Sequence, residues 1–208
     1  AFRLQEAELY RQGYGFEHQH PQHLSDAVYG LTAVLRTAIR DTHLVANPGC
    51  YPTSALLPLI PLQQAGMVAA ESQIICDSKS GVSGAGKSPS PNTHSTEVTE
   101  NVKAYNLWCH RHSPEIWQEL GHQRVIFTAH LLPINRGILS TIYVKLATLV
   151  SPKDIRACLR RAYAHEPFIR LHSEGEFPEI KHVANTNFCD IGWPQHITAP
   201  SPPRVTTN

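Results

Sequence analysis

Residues 124–130 and 138–149 carry the strongest hydrophobic pattern in the chain, rich in β-branched and aromatic positions, and each predicts a strand. Residues 133–137, with Pro133 and Gly137, form the connection between them. Residues 73–77 predict a third strand, with Cys76 at a core position, and residues 43–46, 168–172 and 187–192 predict shorter ones. The apolar run 56–62 lies in a helix expected from about residue 53 to near residue 66. Ser113 as N-cap and Pro114 at the first helical position open a second helix. Ser151-Pro152 opens a third, which ends near residue 165 before Glu166-Pro167. Residues 6–10 and 31–39 have mixed helical periodicity, with turn-like Gly13-Tyr14-Gly15 and His18-Gln19-His20-Pro21 between them. Residues 97–102 fit neither period. Residues 78–93 form a Gly/Ser/Pro loop long enough for its length alone to suggest function. The proline-rich end, 193–208, lacks periodicity and is expected to be disordered or peripheral, leaving residues 1–192 as one domain. Strand pairs on short connections, mixed with helices, predict an α+β domain with a mixed sheet.

Composition narrows the function. The chain has 208 residues and a formal net charge of +1, which gives no general nucleic-acid footprint. Its apolar runs are too short for a membrane span, and no signal peptide opens it. Five cysteines without a C-x-x-C pair argue against a disulfide framework or zinc ribbon and fit a reducing, cytoplasmic setting. The thirteen histidines are scattered, as surface residues would be.

The chemistry centres on Asn47-Pro48-Gly49-Cys50-Tyr51-Pro52-Thr53. A cysteine between a Pro-Gly turn and a helix-opening proline is presented at a helix N-terminus, where unpaired amides and the helix dipole favour a thiolate. His110-Arg111-His112 supplies two imidazoles that point the same way in an extended segment, with the cation opposite. H-x-H alone lacks the further ligands of a zinc site, so no metal is expected. Arg136, before Gly137, is a candidate anion binder or a solvated surface cation. Gly81-Val82-Ser83-Gly84-Ala85-Gly86-Lys87-Ser88 matches the phosphate-loop pattern letter for letter. Pro89 and Pro91 oppose the helix that such a loop must open, so a nucleotide triphosphatase is rejected, although the loop's amides and Lys87 could still meet a phosphate or cofactor.

Six segments then match one family in order: the cysteine turn, Ser80-Gly81-Val82-Ser83-Gly84-Ala85-Gly86, Ala104-Tyr105-Asn106, His110-Arg111-His112-Ser113-Pro114-Glu115-Ile116, Arg136-Gly137-Ile138-Leu139 and Asn187-Phe188-Cys189-Asp190-Ile191-Gly192. Together they resemble the N-acetyl-gamma-glutamyl-phosphate reductases, NADPH-dependent oxidoreductases of arginine biosynthesis. The resemblance implies a glyceraldehyde-3-phosphate dehydrogenase-like C-terminal domain, with a mixed, mostly antiparallel sheet and helices mainly on one face. It also implies reduction of N-acetyl-L-glutamyl 5-phosphate to the 5-semialdehyde through a thioacyl intermediate on Cys50, in a homo-oligomer. His112 takes the place of the general acid/base, with His110 beside it. Arg111 and Arg136 are candidates for the substrate's anionic groups, and Tyr105 frames the site. Ser80, Gly81, Gly84, Ala85 and Gly86 resemble the loop beside the nicotinamide of NADPH. The chain opens, at Ala1-Phe2-Arg3, where the family's dinucleotide-binding domain is ending, and after Gly192 it departs from the family's closing strand and helix. The alternatives are an inert binding or assembly module of the same lineage, the rejected triphosphatase, and a hydrolase or acyltransferase that uses Cys50 and His112 without a cofactor.

Overall fold

The computed structural model describes residues 2–86, 91–121, 125–147 and 150–194. In chain order the elements are α1 (Ala7–Tyr14), β1 (Val28–Tyr29), α2 (Thr32–Arg40), β2 (Val45–Ala46), α3 (Cys50–Gln64), β3 (Ile74–Ser80), α4 (Ser95–Val98), β4 (Lys103–Tyr105), α5 (Ser113–Glu119), β5 (Val125–Leu131), β6 (Ile138–Tyr143), α6 (Pro152–Tyr163), β7 (Ile169–Leu171), α7 (Ile180–Val183) and β8 (Cys189–Ile191). The main sheet has the order β4-β5-β3-β6. Its central pair, β3 with β5, is parallel, and its two outer pairings are antiparallel. Two small parallel pairs, β1 with β2 and β7 with β8, lie outside it. The α+β reading with a mixed sheet therefore holds.

Alternation decides which face is buried. Ile74, Cys76, Ser78 and Ser80 of β3, and Val125, Phe127, Ala129 and Leu131 of β5, all face inward. α3 lies over this face between α5 and α6, and its Leu56, Leu57, Leu59, Ile60 and Leu62 form the centre of the core. α3 is apolar on every side, as a helix enclosed by a sheet and two other helices must be. It also contains Pro58 and Pro61. Pro61 has no N–H for the Leu57 carbonyl, and the Tyr163 hydroxyl of α6 donates to that carbonyl instead.

Several boundaries differ from the sequence expectation for physical reasons. α3 begins at Cys50 rather than near Thr53, because the Thr53 amide and hydroxyl both donate to the Gly49 carbonyl. β3 continues to Ser80, since the Ser78 and Ser80 hydroxyls find partners inside the core. β6 ends at Tyr143; the chain then leaves the sheet, and Leu146 bridges to Val68. β4 and α7 are elements the pattern did not announce. Trp193, assigned by its neighbours to the tail, is buried in the core, and its carbonyl accepts from the Gly175 amide. Lys87, the start of the expected strand 124–130, the end of the expected strand 138–149, and tail residues 195–208 lie outside the described residues.

Candidate active site

Cys50 is the first residue of α3, with extended Gly49 as its N-cap. The thiol reaches solvent on one side. Two influences on it oppose each other. Burial raises its pKa, while hydrogen bonds from the Tyr51 and Cys50 amides lower it; further out, Glu115 raises it and Arg111 lowers it. Burial wins in the resting state, so the helix terminus alone does not hold a thiolate here, contrary to the sequence argument.

The two imidazoles stand behind this turn. His110 and His112 are both buried, with ring centroids 4.9 Å apart, and Arg111 is exposed between them. They share a side because the segment turns into α5 rather than running extended; the Ser113 amide donates to the His110 carbonyl. His112, not Ser113, is the N-cap of α5, so the predicted start moves by one residue. His110 Nδ1 accepts the His112 amide at 3.1 Å, which places any proton of that neutral ring on Nε2. His112 lies against the backbone beside the thiol. A Cβ on Gly49 would sit 2.7 Å from His112 Nε2, so this position has room only for glycine. Burial, then the neighbouring Arg111 charge, pushes the His110 pKa down to about 4. Burial, then His110, Arg111 and Arg3, pushes His112 down to about 3. Both are neutral near pH 7.

Glu115, fully buried one turn into α5, ties the site together. It accepts from the Gly49 amide at 2.9 Å, the Tyr29 hydroxyl at 3.0 Å, the Tyr14 hydroxyl at 3.1 Å and the Arg3 guanidinium at 3.3 Å. Its Oε1 lies 4.0 Å from His112 Nε2. These donors offset what the carboxyl group loses on leaving water. Its effect shows on the phenols: burial and then the Glu115 charge raise Tyr14 to about 12, and Tyr29 is pushed up by the same causes.

On the other side of Cys50, the Tyr51 hydroxyl meets Ser80 Oγ at 2.8 Å and the Tyr105 hydroxyl at 2.9 Å. Ser80 leads into the Gly81–Gly86 loop, whose amides are already used. Gly81, Val82 and Ser83 donate to the Gly137, Ile134 and Asn135 carbonyls, and Gly84 donates to Gly81. This closes the loop on the β5–β6 turn and spends the amides of Gly81 to Gly84 within the protein. Gly81 is again required by close approach, since a Cβ there would sit 2.6 Å from the Asn135 carbonyl oxygen. Arg136 is exposed on that turn beside Gly81. Gly84 lies near Ser80, and Ala85 and Gly86 are exposed at the outer end of the loop. A groove of about 500 Å³, lined by Val82, Thr93, Val98 and Pro133 among others, runs beside this loop and does not include Cys50.

Residues 50–200 match the family described as the semialdehyde dehydrogenase dimerisation domain. This chain belongs to that family. Over 196 residues it is 52% identical to N-acetyl-gamma-glutamyl-phosphate reductase of Pelotomaculum thermopropionicum, a match that covers 92% of this chain and 56% of that protein. It is 45% identical to the protein of that name in Geobacillus kaustophilus over the same length, covering 92% of this chain and 57% of the relative. The chain thus spans a little over half the length of these curated relatives. In three dimensions it resembles a probable aspartate-semialdehyde dehydrogenase from Pseudomonas aeruginosa, with TM-score 0.62 and 16% identity over 83% of this chain and 59% of that one. It also resembles aspartate semialdehyde dehydrogenase II from Vibrio cholerae, with TM-score 0.58 and 19% identity over 77% and 55%. These likenesses establish a shared fold.

Within this semialdehyde dehydrogenase-type domain, the sequence reading missed Glu115, Arg3, Tyr14 and Tyr29. Glu115 looked like an ordinary acidic residue in a first helical turn. Its spacing of three from His112, which puts both at the start of one helix, was the only local sign. Its partners come from 66 to 112 residues away in the chain.

Proposed function

We propose that this chain carries the thiol and imidazole chemistry of an N-acetyl-gamma-glutamyl-phosphate reductase, acting on N-acetyl-L-glutamyl 5-phosphate. The observation that carries the proposal is the His112 ring packed on Gly49, next to Cys50, with Glu115 bonded to that same glycine. Neutral His112 takes the Cys50 proton as sulfur attacks the acyl carbon. The carbon–oxygen bond to phosphate breaks, and the departing phosphate accepts that proton from the imidazolium. Glu115, 4.0 Å away, offsets the transient imidazolium charge. The anionic substrate adds to this by offsetting Arg111 and Arg3, whose charges hold His112 down in the resting site. NADPH, when bound, supplies the hydride that takes the thioester to the aldehyde level. The oxyanion then collapses, expels the Cys50 thiolate, and the sulfur regains a proton from solvent.

The residues present fit one end of that cofactor. Gly84, Ala85 and Gly86 are exposed and carry almost no side chain, and Gly84 lies beside Ser80, which suits the approach of a flat ring. The amides of Gly81 to Gly84 are spent within the loop and its turn and are not offered to the cofactor's pyrophosphate. The partner is a second copy of the chain. The sheet face opposite α3, with Ile75, Asp77 and Lys79 of β3 and Ile126, Thr128 and His130 of β5, is only partly buried, which suits a dimerisation domain. No helix among the described residues is long and apolar enough to cross a membrane, and all five cysteines are free, in keeping with a reducing cytoplasm.

The test is the pH dependence of alkylation at each cysteine, read by peptide mass spectrometry on folded protein. Cys50 is expected to react faster than exposed Cys109, and His112→Asn to slow it about tenfold or more. Equal reactivity of Cys50 and Cys109, unaffected by His112→Asn, would exclude the proposal.

A further inference from the structure

Tyr51 is buried to 2% exposure beside the nucleophile, yet it carries a hydroxyl. The Tyr51 hydroxyl is paired with Ser80 Oγ at 2.8 Å and with the Tyr105 hydroxyl at 2.9 Å, and the His130 carbonyl lies 3.5 Å away. Ser80 Oγ lies 3.5 Å from the Gly81 carbonyl. These hydroxyls form a chain from half-buried Tyr105 on β4, across the first turn of α3, to Ser80, where the Gly81–Gly86 loop begins. The ring makes edge contacts with both imidazoles, its centroid 5.4 Å from His110 and 6.0 Å from His112, and rests on Phe127 at 5.1 Å. Apolar packing alone would be served by phenylalanine.

We infer that Tyr51 is a positioning residue, whose hydroxyl fixes the first turn of α3 to Ser80 and Tyr105 so that the Cys50 and Tyr51 amides stay aimed at the sulfur. The role rests on the thiol–imidazole reading above and adds to it a connection between nucleophile, substrate-framing tyrosine and cofactor-side loop. Without the hydroxyl, Ser80 and Tyr105 each lose a partner, and Tyr51 is held in the turn by the packing of its ring alone.

The experiment is Cys50 alkylation against pH in the full chain, for wild type, Tyr51→Phe, Ser80→Ala and the double variant, with thermal unfolding recorded for each. Tyr51→Phe is expected to move the alkylation midpoint to higher pH and slow the reaction about threefold to tenfold below it. The double variant is expected to be no slower than the slower single one, because the two substitutions break one bond. A purely structural tyrosine would lower the unfolding temperature and leave the midpoint in place; that result, or effects that multiply in the double variant, would overturn the inference. If Tyr51→Phe does not fold, Tyr105→Phe removes the other partner of the same hydroxyl and carries the same expectation and the same refutation. If wild-type Cys50 is not selectively reactive, the thiol–imidazole reading itself fails, and this inference falls with it. If it is reactive but the variants do not shift it, only the role of Tyr51 falls.

Discussion

Over its first turn α3 is fastened by hydroxyls and a carboxylate; over the rest of its length it is fastened mainly by hydrocarbon. At the N-terminal end Glu115 holds the Gly49 amide, Ser80 and Tyr105 hold the Tyr51 hydroxyl, and Ser140 holds the Ser54 hydroxyl while bonding Ser78. Beyond Ser54 come Leu56, Leu57, Leu59, Ile60 and Leu62, all buried among apolar neighbours. Hydrogen bonds have direction and fix the angle of a turn, whereas apolar contacts fix only a volume. The helix thus separates two tasks along one axis: the aim of the thiol at one end and the stability of the domain at the other.

The separation is broken most forcefully from the apolar end. Leu56 is fully buried, and Leu56→Ala is expected to cost about 2–5 kcal/mol in denaturant unfolding. The molecules that remain folded should alkylate at Cys50 with the wild-type pH midpoint. A shifted midpoint would mean that the apolar half also sets the aim of the thiol.

The polar end should reveal itself through acid. Folded His110 and His112 sit at about 4 and about 3, below the ordinary histidine value of about 6.5. The unfolded chain therefore binds these two protons first as pH falls. Their contribution to stability is complete above about pH 6.5 and is lost as pH drops toward 3. The slope from the pair reaches about 1.4 kcal/mol per pH unit for each histidine in that window. Unfolding free energy measured from pH 7 to 4 should fall accordingly, and His112→Asn should remove about half of the histidine slope. An unchanged slope in that variant would mean that His112 is already protonated in the fold.

How far the sequence announced this arrangement differs between the two ends. The apolar run 56–62, the Pro-Gly turn and the early Pro52 marked the helix and the place of Cys50 within a few residues. Ser151-Pro152 marked α6 in the same local way, and the structure adds a capping box between Ser151 and Asp154. The polar end was hidden, because its partners are distant in the chain and their residue types are ambiguous. Ser78 and Ser80 read as loop residues until their hydroxyls are seen to pair across the sheet with Ser140 and with Tyr51 of the helix. β4 has three residues and runs into a turn where Asn106 and Trp108 adopt φ of 48° and 64° with no glycine to mark it. The parallel pairing of β3 with β5 follows from the crossover as a whole and leaves no sign in either strand.

The finest test of the separation lies where the apolar half carries a polar repair. Pro61 leaves the Leu57 carbonyl without its helical donor, and the Tyr163 hydroxyl of α6 donates to it. Tyr163→Phe keeps the ring and removes that bond. A buried acceptor is then left unpaired, at an expected cost of about 1–2 kcal/mol. Tyr163 acts on the helix more than a turn beyond Cys50 and makes none of the hydrogen bonds that fix the first turn. Unfolding should therefore register the substitution while the Cys50 alkylation profile does not. Set beside Tyr51→Phe, this makes a matched pair: each removes one buried phenol hydroxyl bonded at α3, one at each end of the division. A loss of stability without a midpoint shift in Tyr163→Phe, and a midpoint shift in Tyr51→Phe, would locate the boundary between the two tasks in the residues from Ser54 to Leu57. A midpoint shift in both would show the helix moving as one rigid rod, with the aim of the thiol set by its whole length.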